Sequence, residues 1–292
     1  MTASFRDWRR SLKDRLPFVR RRVHAGAVRK YALLTEAVGL GVPLADEVPV
    51  TALRDVEPGT CDELCLFVSY QPDPAPKPHV VAHVTALLDR GIRVVLVLNT
   101  PRRADEVRID PAFAARLSGL FVRANAGYDF AAWAHAHALV APRLQARRLY
   151  LTNDSLVGPL DGAAFDTLLQ RIRASRADVT GLVEAPSPRP HLQSYFLAFN
   201  ERAVATGLAP FFRRVQCFAD KGTVVDVYET WLTQRLRQAG LTCEALFPAV
   251  DPYGGWRDLI DAGFPFLKTR ALAEHRHDPA LARLVPAHLL GD

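Results

Sequence analysis

The run Leu64-Cys65-Leu66-Phe67-Val68-Ser69-Tyr70, a helical pattern over residues 79–90 closed by Gly91, and the run Ile92-Arg93-Val94-Val95-Leu96-Val97-Leu98 decide the fold. Almost continuous apolar runs bounded by turn residues read as strands buried on both faces, and a helix between two of them makes a β-α-β unit. The same alternation continues with a strand over 120–123, a helix over 130–140, a strand over 148–152 and a helix over 162–174. A strand over 179–183 then precedes the proline-rich turn 185–190, followed by a strand over 195–199 and a helix over 224–239 ending at Gly240. Such a succession predicts an α/β protein with a mainly parallel sheet flanked by helices.

Outward from this core the chain changes character. Residues 39–59 carry Gly39, Gly41, Pro43, Pro49, Pro58 and Gly59 and read as a connector without regular structure. Before it, Arg6, Arg9, Arg10, Lys13, Arg15, Arg20, Arg21, Arg22, Arg29 and Lys30 crowd the first thirty residues, interleaved with Phe5, Trp8, Leu12, Leu16, Phe18 and Val19. A basic amphipathic helix of this kind suits the surface of an anionic bilayer, or packing on the main domain with its charged face in water. The expected organisation is a basic helical extension and connector over 1–58, the main α/β domain over 59–270 and a C-terminal tail over 271–292.

Composition narrows the class. The 292 residues are 49% hydrophobic and 23% charged, as in an ordinary globular protein. No apolar run approaches the roughly 20 residues of a spanning helix, and the N-terminus lacks the pattern of a secretory signal, so a cytoplasmic protein is expected. Cys61, Cys65, Cys217 and Cys243 form neither a C-x-x-C pair nor a disulfide framework and read as reduced thiols. A net charge of +6 points to an anionic partner, which a nucleotide diphosphate, an anionic membrane or a nucleic acid would satisfy alike. A nucleic acid is the poorest of these, because aromatic and basic residues do not interleave on a sheet as RNA-binding modules require.

Ligands of α/β sheets bind beyond the carboxyl ends of the strands, and the polar clusters fall there. Ser69, Tyr70 and Gln71 follow the first strand; Asn125-Ala126-Gly127-Tyr128-Asp129 follow the third; Asn153-Asp154-Ser155 follow the fourth. No glycine-rich dinucleotide fingerprint or P-loop occurs. Asp154 suits a hard cation bridged to a diphosphate, since Mg²⁺ and Mn²⁺ take few carboxylates beside phosphate oxygens. An Asx-turn is the bland reading of the same residues. Gly127 allows close backbone approach or simply turns the chain, and Asp129 reads as a site carboxylate or a helix cap.

Four blocks resemble the rhamnan synthesis protein F family in order and spacing: Asn125-Ala126-Gly127-Tyr128-Asp129-Phe130; Leu151-Thr152-Asn153-Asp154-Ser155 with Gly158-Pro159; His191-Leu192-Gln193-Ser194-Tyr195-Phe196; and Val225-Asp226-Val227-Tyr228-Glu229-Thr230-Trp231-Leu232. Residues 256–268 resemble the family's closing segment. The resemblance covers roughly residues 60 to 270. It implies a GT-A-like, Rossmann-like glycosyltransferase of bacterial surface polysaccharide synthesis, O-antigen among them. The donor would be a nucleoside diphosphate sugar such as dTDP-rhamnose, and the acceptor a glycan or lipid-linked glycan.

The resemblance also distributes roles. Ser69, Tyr70, Arg123, Asn125, Gly127, Asp129, Asn153, Asp154 and Ser155 would bind the nucleotide sugar, and His191, Gln193 and Ser194 would line the sugar or acceptor pocket. Glu229 would be the general base of an inverting displacement, with Asp226 the competing acid. Asn153-Asp154-Ser155 stands at the place of a metal-binding Asp-x-Asp motif but keeps one acid, which puts dependence on Mg²⁺ or Mn²⁺ in doubt. His277, in the run His275-Arg276-His277, is a candidate further metal ligand or a solvated surface residue. A glycan- or nucleotide-binding domain without catalysis is the alternative function.

Overall fold

A computed structural model describes residues 42–43, 48–275 and 277–290. Its centre is an eight-stranded sheet. In chain order the strands are β1 Val50–Arg54, β2 Gly59–Tyr70, β3 Arg93–Asn99, β4 Gly119–Arg123, β5 Leu144–Asn153, β6 Val179–Gly181, β7 Phe196–Asn200 and β8 Cys243–Ala245. Their spatial order is β8-β6-β7-β5-β2-β3-β4-β1. Strands β2 to β5 pair in parallel, as do β6 and β8. Strands β1 and β7 run antiparallel to their neighbours.

The sheet is buried on both faces by simple alternation. Leu64, Leu66, Val68, Val95 and Val97 join one apolar cluster, while Cys65, Phe67, Val94, Leu96 and Leu98 join the other. Period-2 side chains fill both faces only where helices cover both, which explains the near-continuous apolar strands. Helix α1 (Pro78–Leu88) and helix α3 (Gly162–Ala174) pack on the second cluster; helix α2 (Tyr128–Val140) packs on the first. Helix α3 starts where the Asp161 carboxylate accepts the Ala164 amide at 2.6 Å. It buries Phe165, Leu168, Leu169 and Ile172, the i, i+3, i+4, i+7 stripe of an amphipathic helix.

Three differences from the sequence reading matter. The expected connector contains β1, which extends the sheet by pairing Val50 with Arg123. The expected helix over 224–239 begins earlier, at Lys221, and passes through a π-helical turn, Val225–Glu229, before helix α4 (Thr230–Gln238). Residues 279–289 fold back on the domain, where Leu281, Val285 and Leu289 pack with Trp256, Val157 and Leu267. None of the described helices is long and apolar enough to cross a membrane. The basic stretch 1–30 lies outside the described residues.

Candidate functional site

The carboxyl ends of β2 to β5 share one edge of the sheet, and the site grows from the turn after β5. The Asn153 amide group points across to α2, donating through Nδ2 to Asp129 Oδ2 at 2.9 Å. Its Oδ1 accepts the Ser155 backbone amide at 3.1 Å and the Ser155 hydroxyl as well. Asn153 therefore does form the Asx-turn that its residue type favours. Asp154, freed from capping, turns towards β2. Its Oδ2 accepts from the Tyr70 amide at 3.1 Å, the Ser69 hydroxyl at 3.3 Å and the Lys77 ammonium at 2.5 Å.

Helix α1 closes this side. Pro78 occupies its first turn, where a missing N–H costs nothing, and Lys77 stands immediately before it. His79 Nε2 donates to the Asp154 carbonyl oxygen at 3.0 Å. Burial lowers the His79 pKa below the ordinary imidazole value despite that bond, so the neutral tautomer carries its proton on Nε2.

The opposite wall comes from far along the chain. A short antiparallel ladder between distant segments pairs Leu156–Val157 with Leu267–Lys268 and carries the Lys268 side chain inward. Its ammonium donates to Ser155 Oγ at 2.8 Å and lies 4.0 Å from the Tyr195 ring centroid. Lys268 is 7% exposed. Burial brings its pKa down to about 8, a fall opposed by the negative fields of Glu229, Asp129 and Asp154 and reinforced by Lys221. Asp129 answers in the other direction: burial first, then the neighbouring charges of Asp154 and Glu229, push its carboxyl up to about 6 against the opposing field of Lys221. These mutual effects place Asp129, Asp154, Glu229, Lys221 and Lys268 in one electrostatic neighbourhood.

Glu229 accepts the Ser194 amide on Oε1 at 3.2 Å. It does not sit in the first turn of its helix, as the sequence suggested, because Asp220 caps that helix by accepting the Thr223 amide at 2.7 Å. The bond from Ser194, rather than the helix N-terminus, fixes the acid. Asp226 follows Val225 in the same π-helical turn, and its carbonyl accepts the Thr230 hydroxyl at 3.0 Å.

The other expected residues serve the walls. Arg123 is buried and donates to Asn99 Oδ1 at 2.9 Å and to the Ala126 carbonyl at 2.7 Å, while Asn99 donates to Asn125 Oδ1 at 3.1 Å. Burial lowers the guanidinium to about 10, which leaves it charged at neutral pH. This network shapes the loop before α2. Gly127 has φ +68°, and a Cβ there would meet the Ala131 Cβ at 2.5 Å and the Cys217 Cα at 3.0 Å. Packing against the chain at Cys217 is thus sufficient reason for glycine. Asp129 occupies the first turn of α2 instead of capping it, since Gly127 is the cap residue.

His191 is buried and donates from Nδ1 to the Arg189 carbonyl at 2.8 Å, and the half-buried Gln193 uses its backbone amide on Val183. Tyr70 is 42% exposed at the rim. His277 lies exposed in the turn before the helix Pro279–Leu284.

Lys77, His79, Lys221 and Lys268 were not singled out in the sequence. Lys77 carried a usable signal, since the proline after it marks a helix start at a strand's carboxyl end, where anions bind. Lys268 carried none that distinguishes it from a surface lysine.

A divalent cation on Asp154 would have to compete with the Lys77 ammonium. Among the described residues no three His, Cys, Asp or Glu side chains come together to hold a metal. Asp154 already takes an ammonium and two further donors on one oxygen.

A family model described as rhamnan synthesis protein F matches residues 94–285. No curated protein matches the chain. Among solved structures, a mannosyltransferase from Pyrobaculum calidifontis in complex with GDP-mannose and Mn²⁺ is similar at 11% identity and a TM-score of 0.31, over 92% of this chain and 82% of that one. A likeness at that level carries no weight here.

Proposed function

Since the chain belongs to the rhamnan synthesis protein F family, we propose that it is a glycosyltransferase of polysaccharide synthesis. It transfers a sugar, rhamnose in this reading, from a nucleoside diphosphate donor such as dTDP-rhamnose to a hydroxyl of a surface-polysaccharide or lipid-linked acceptor. The observation that carries the reading is the convergence of Asp129, Asp154 and Glu229 with Lys77 and Lys268 beyond the carboxyl ends of the parallel strands. Carboxylates serve the attacking hydroxyl and ammonium groups serve the departing diphosphate.

In the proposed step Glu229 takes the proton of the acceptor hydroxyl while its oxygen bonds to the anomeric carbon. The bond from that carbon to the phosphate oxygen breaks, and its electron pair leaves with the diphosphate. Attack opposite the leaving group inverts the anomeric centre. Asp129 lies within the field of Glu229 and, with Asn153, lines the floor on which the donor sugar rests. Ser69 and Tyr70 face the nucleotide, and Ser194, Gln193 and His191 form the acceptor side. A metal bridge through Asp154 and His277 is not part of this scheme, because Asp154 Oδ2 is ion-paired with Lys77.

The decisive experiment offers the purified protein a panel of nucleotide sugars with lipid-linked and free glycan acceptors and measures release of the nucleoside diphosphate. Turnover with one donor and inversion at the product's anomeric carbon support the reading. Tight donor binding without turnover on any acceptor would favour a binding domain instead. The basic stretch 1–30 is proposed to hold the enzyme at an anionic membrane face near a lipid-linked acceptor.

A further inference from the structure

The two lysines at the turn after β5 differ from ordinary surface lysines in what surrounds them. Lys268 is 93% buried by its 7% exposure, yet among the described residues no carboxylate stands within ion-pair distance of it. Its ammonium rests on a neutral hydroxyl, Ser155 Oγ, and on the face of the Tyr195 ring. Glu229, Asp129 and Asp154 offset its charge without touching it, and an anion in direct contact would lower the cost of its burial further. Lys77 is held on the adjacent residue, Asp154, with the first turn of α1 directly behind it. The positive end of that helix dipole adds to the ammonium at the same edge of the sheet.

We propose that Lys77 and Lys268, anchored on the consecutive residues Asp154 and Ser155, supply the positive charge that binds the donor's diphosphate, and that donor binding therefore needs no divalent cation. The inference rests on the nucleotide-sugar reading above and specifies how that site works. In a cation-dependent site the carboxylate after the strand holds the metal and the metal holds the phosphates. Here the corresponding carboxylate holds an ammonium at 2.5 Å, and a divalent cation approaching the same oxygen would be repelled by it. The ammonium takes the cation's place on the Asp154 side, and Lys268 supplies the second charge from the Ser155 side.

Both groups are fixed before the donor arrives. Lys268 has lost its freedom to burial, and Lys77 is oriented by the Asp154 carboxylate, whose other partners are the Ser69 hydroxyl and the Tyr70 amide. Preorganised donors of this kind stabilise charge developing on a leaving group without reorganisation during the reaction. Asp154 on this view is a positioning residue: it offsets part of the Lys77 charge and sets where the ammonium stands.

The test is calorimetric titration of the full chain with dTDP, UDP and GDP, each in EDTA and again in Mn²⁺. Expected is binding of at least one nucleotide with the same affinity in both buffers, weakened roughly 10-fold or more by Lys77→Gln and by Lys268→Met. Lys77 is partly exposed, so Lys77→Gln keeps the fold even where replacement of buried Lys268 disturbs it. Binding that appears only with Mn²⁺ overturns the inference and leaves the glycosyltransferase reading intact. Undiminished binding by both folded variants also overturns it. Failure of all three nucleotides in either buffer removes the nucleotide-sugar reading and this inference with it.

Discussion

The Lys77 ammonium and the Asp154 carboxylate lie 2.5 Å apart although 77 positions separate them in the chain, and both stand at strand or helix ends rather than in the core. Their contact closes the turn after β5 against the start of α1. Asp154→Asn keeps the shape but removes the charge that orients Lys77. Turnover is expected to fall at least 100-fold, a barrier increase of about 2.7 kcal/mol. Loss of hydrogen bonds at a partly exposed residue should cost only about 1 kcal/mol of stability. Steady-state kinetics beside urea unfolding separates the two effects, and a large stability loss with normal turnover would make Asp154 a structural residue only.

Glu229 is expected to be the base. Glu229→Gln retains the acceptor for the Ser194 amide but cannot take a proton, so kcat should fall roughly 10²–10⁴-fold with donor affinity nearly unchanged. Asp226→Asn should cost less, because Glu229 is among the charges that act on both Asp129 and Lys268. If Asp226→Asn proved the more damaging, the base would be Asp226.

His83 makes acid stability predictable. It is fully buried with neither ring nitrogen hydrogen-bonded, among the rings of Phe67, Phe165, Phe196 and Phe266. Burial, with a smaller contribution from His79, holds its pKa down at about 3. The unfolded chain takes up this proton near the ordinary value of about 6.5. The folded pKa is thus depressed, so stability from this residue is complete above about pH 6.5 and is lost progressively as pH falls towards 3. His83→Leu should flatten the stability profile across that window and leave stability at pH 7 equal or higher, since two unsatisfied nitrogens disappear. Thermal unfolding midpoints from pH 7 down to 4 provide the check; parallel profiles for the two proteins would show that other groups dominate.

Residues 1–30 are expected to bind anionic lipid, each basic side chain near the surface contributing about 1 kcal/mol. Full-length protein should co-sediment with vesicles containing phosphatidylserine at low salt and be released at high salt, and a chain lacking residues 1–30 should stay in the supernatant. Equal sedimentation of the two would assign the segment another role.

Local patterns specify the main architecture. Alternating apolar positions over 64–70 and 92–98 and the 3.6-residue stripe of Phe165, Leu168, Leu169 and Ile172 are short-range properties, and the predicted helix over 162–174 coincides with α3. The strand ends were legible for the same reason, so Asp154, Asp129 and Ser69 were found as polar residues following apolar runs. The blocks resembling the rhamnan synthesis protein F family added Glu229 and Ser194, whose contact the structure then supplied. Pairing partners and charge environments depend on which distant segments pack together. Strand β1 owes its place to β4, and β7 runs antiparallel between β5 and β6, neither of which any local propensity encodes. The π-helical turn moved Glu229 into the interior of a helical run. Lys268 reaches Ser155 across 113 residues, and only burial beneath the neighbouring chain makes it unlike the other lysines. Sequence alone determined the α/β frame and the edge where chemistry collects, because these follow from periodicity. The tertiary structure decided which cations face that edge, because desolvation and Coulomb fields act through space and not along the chain.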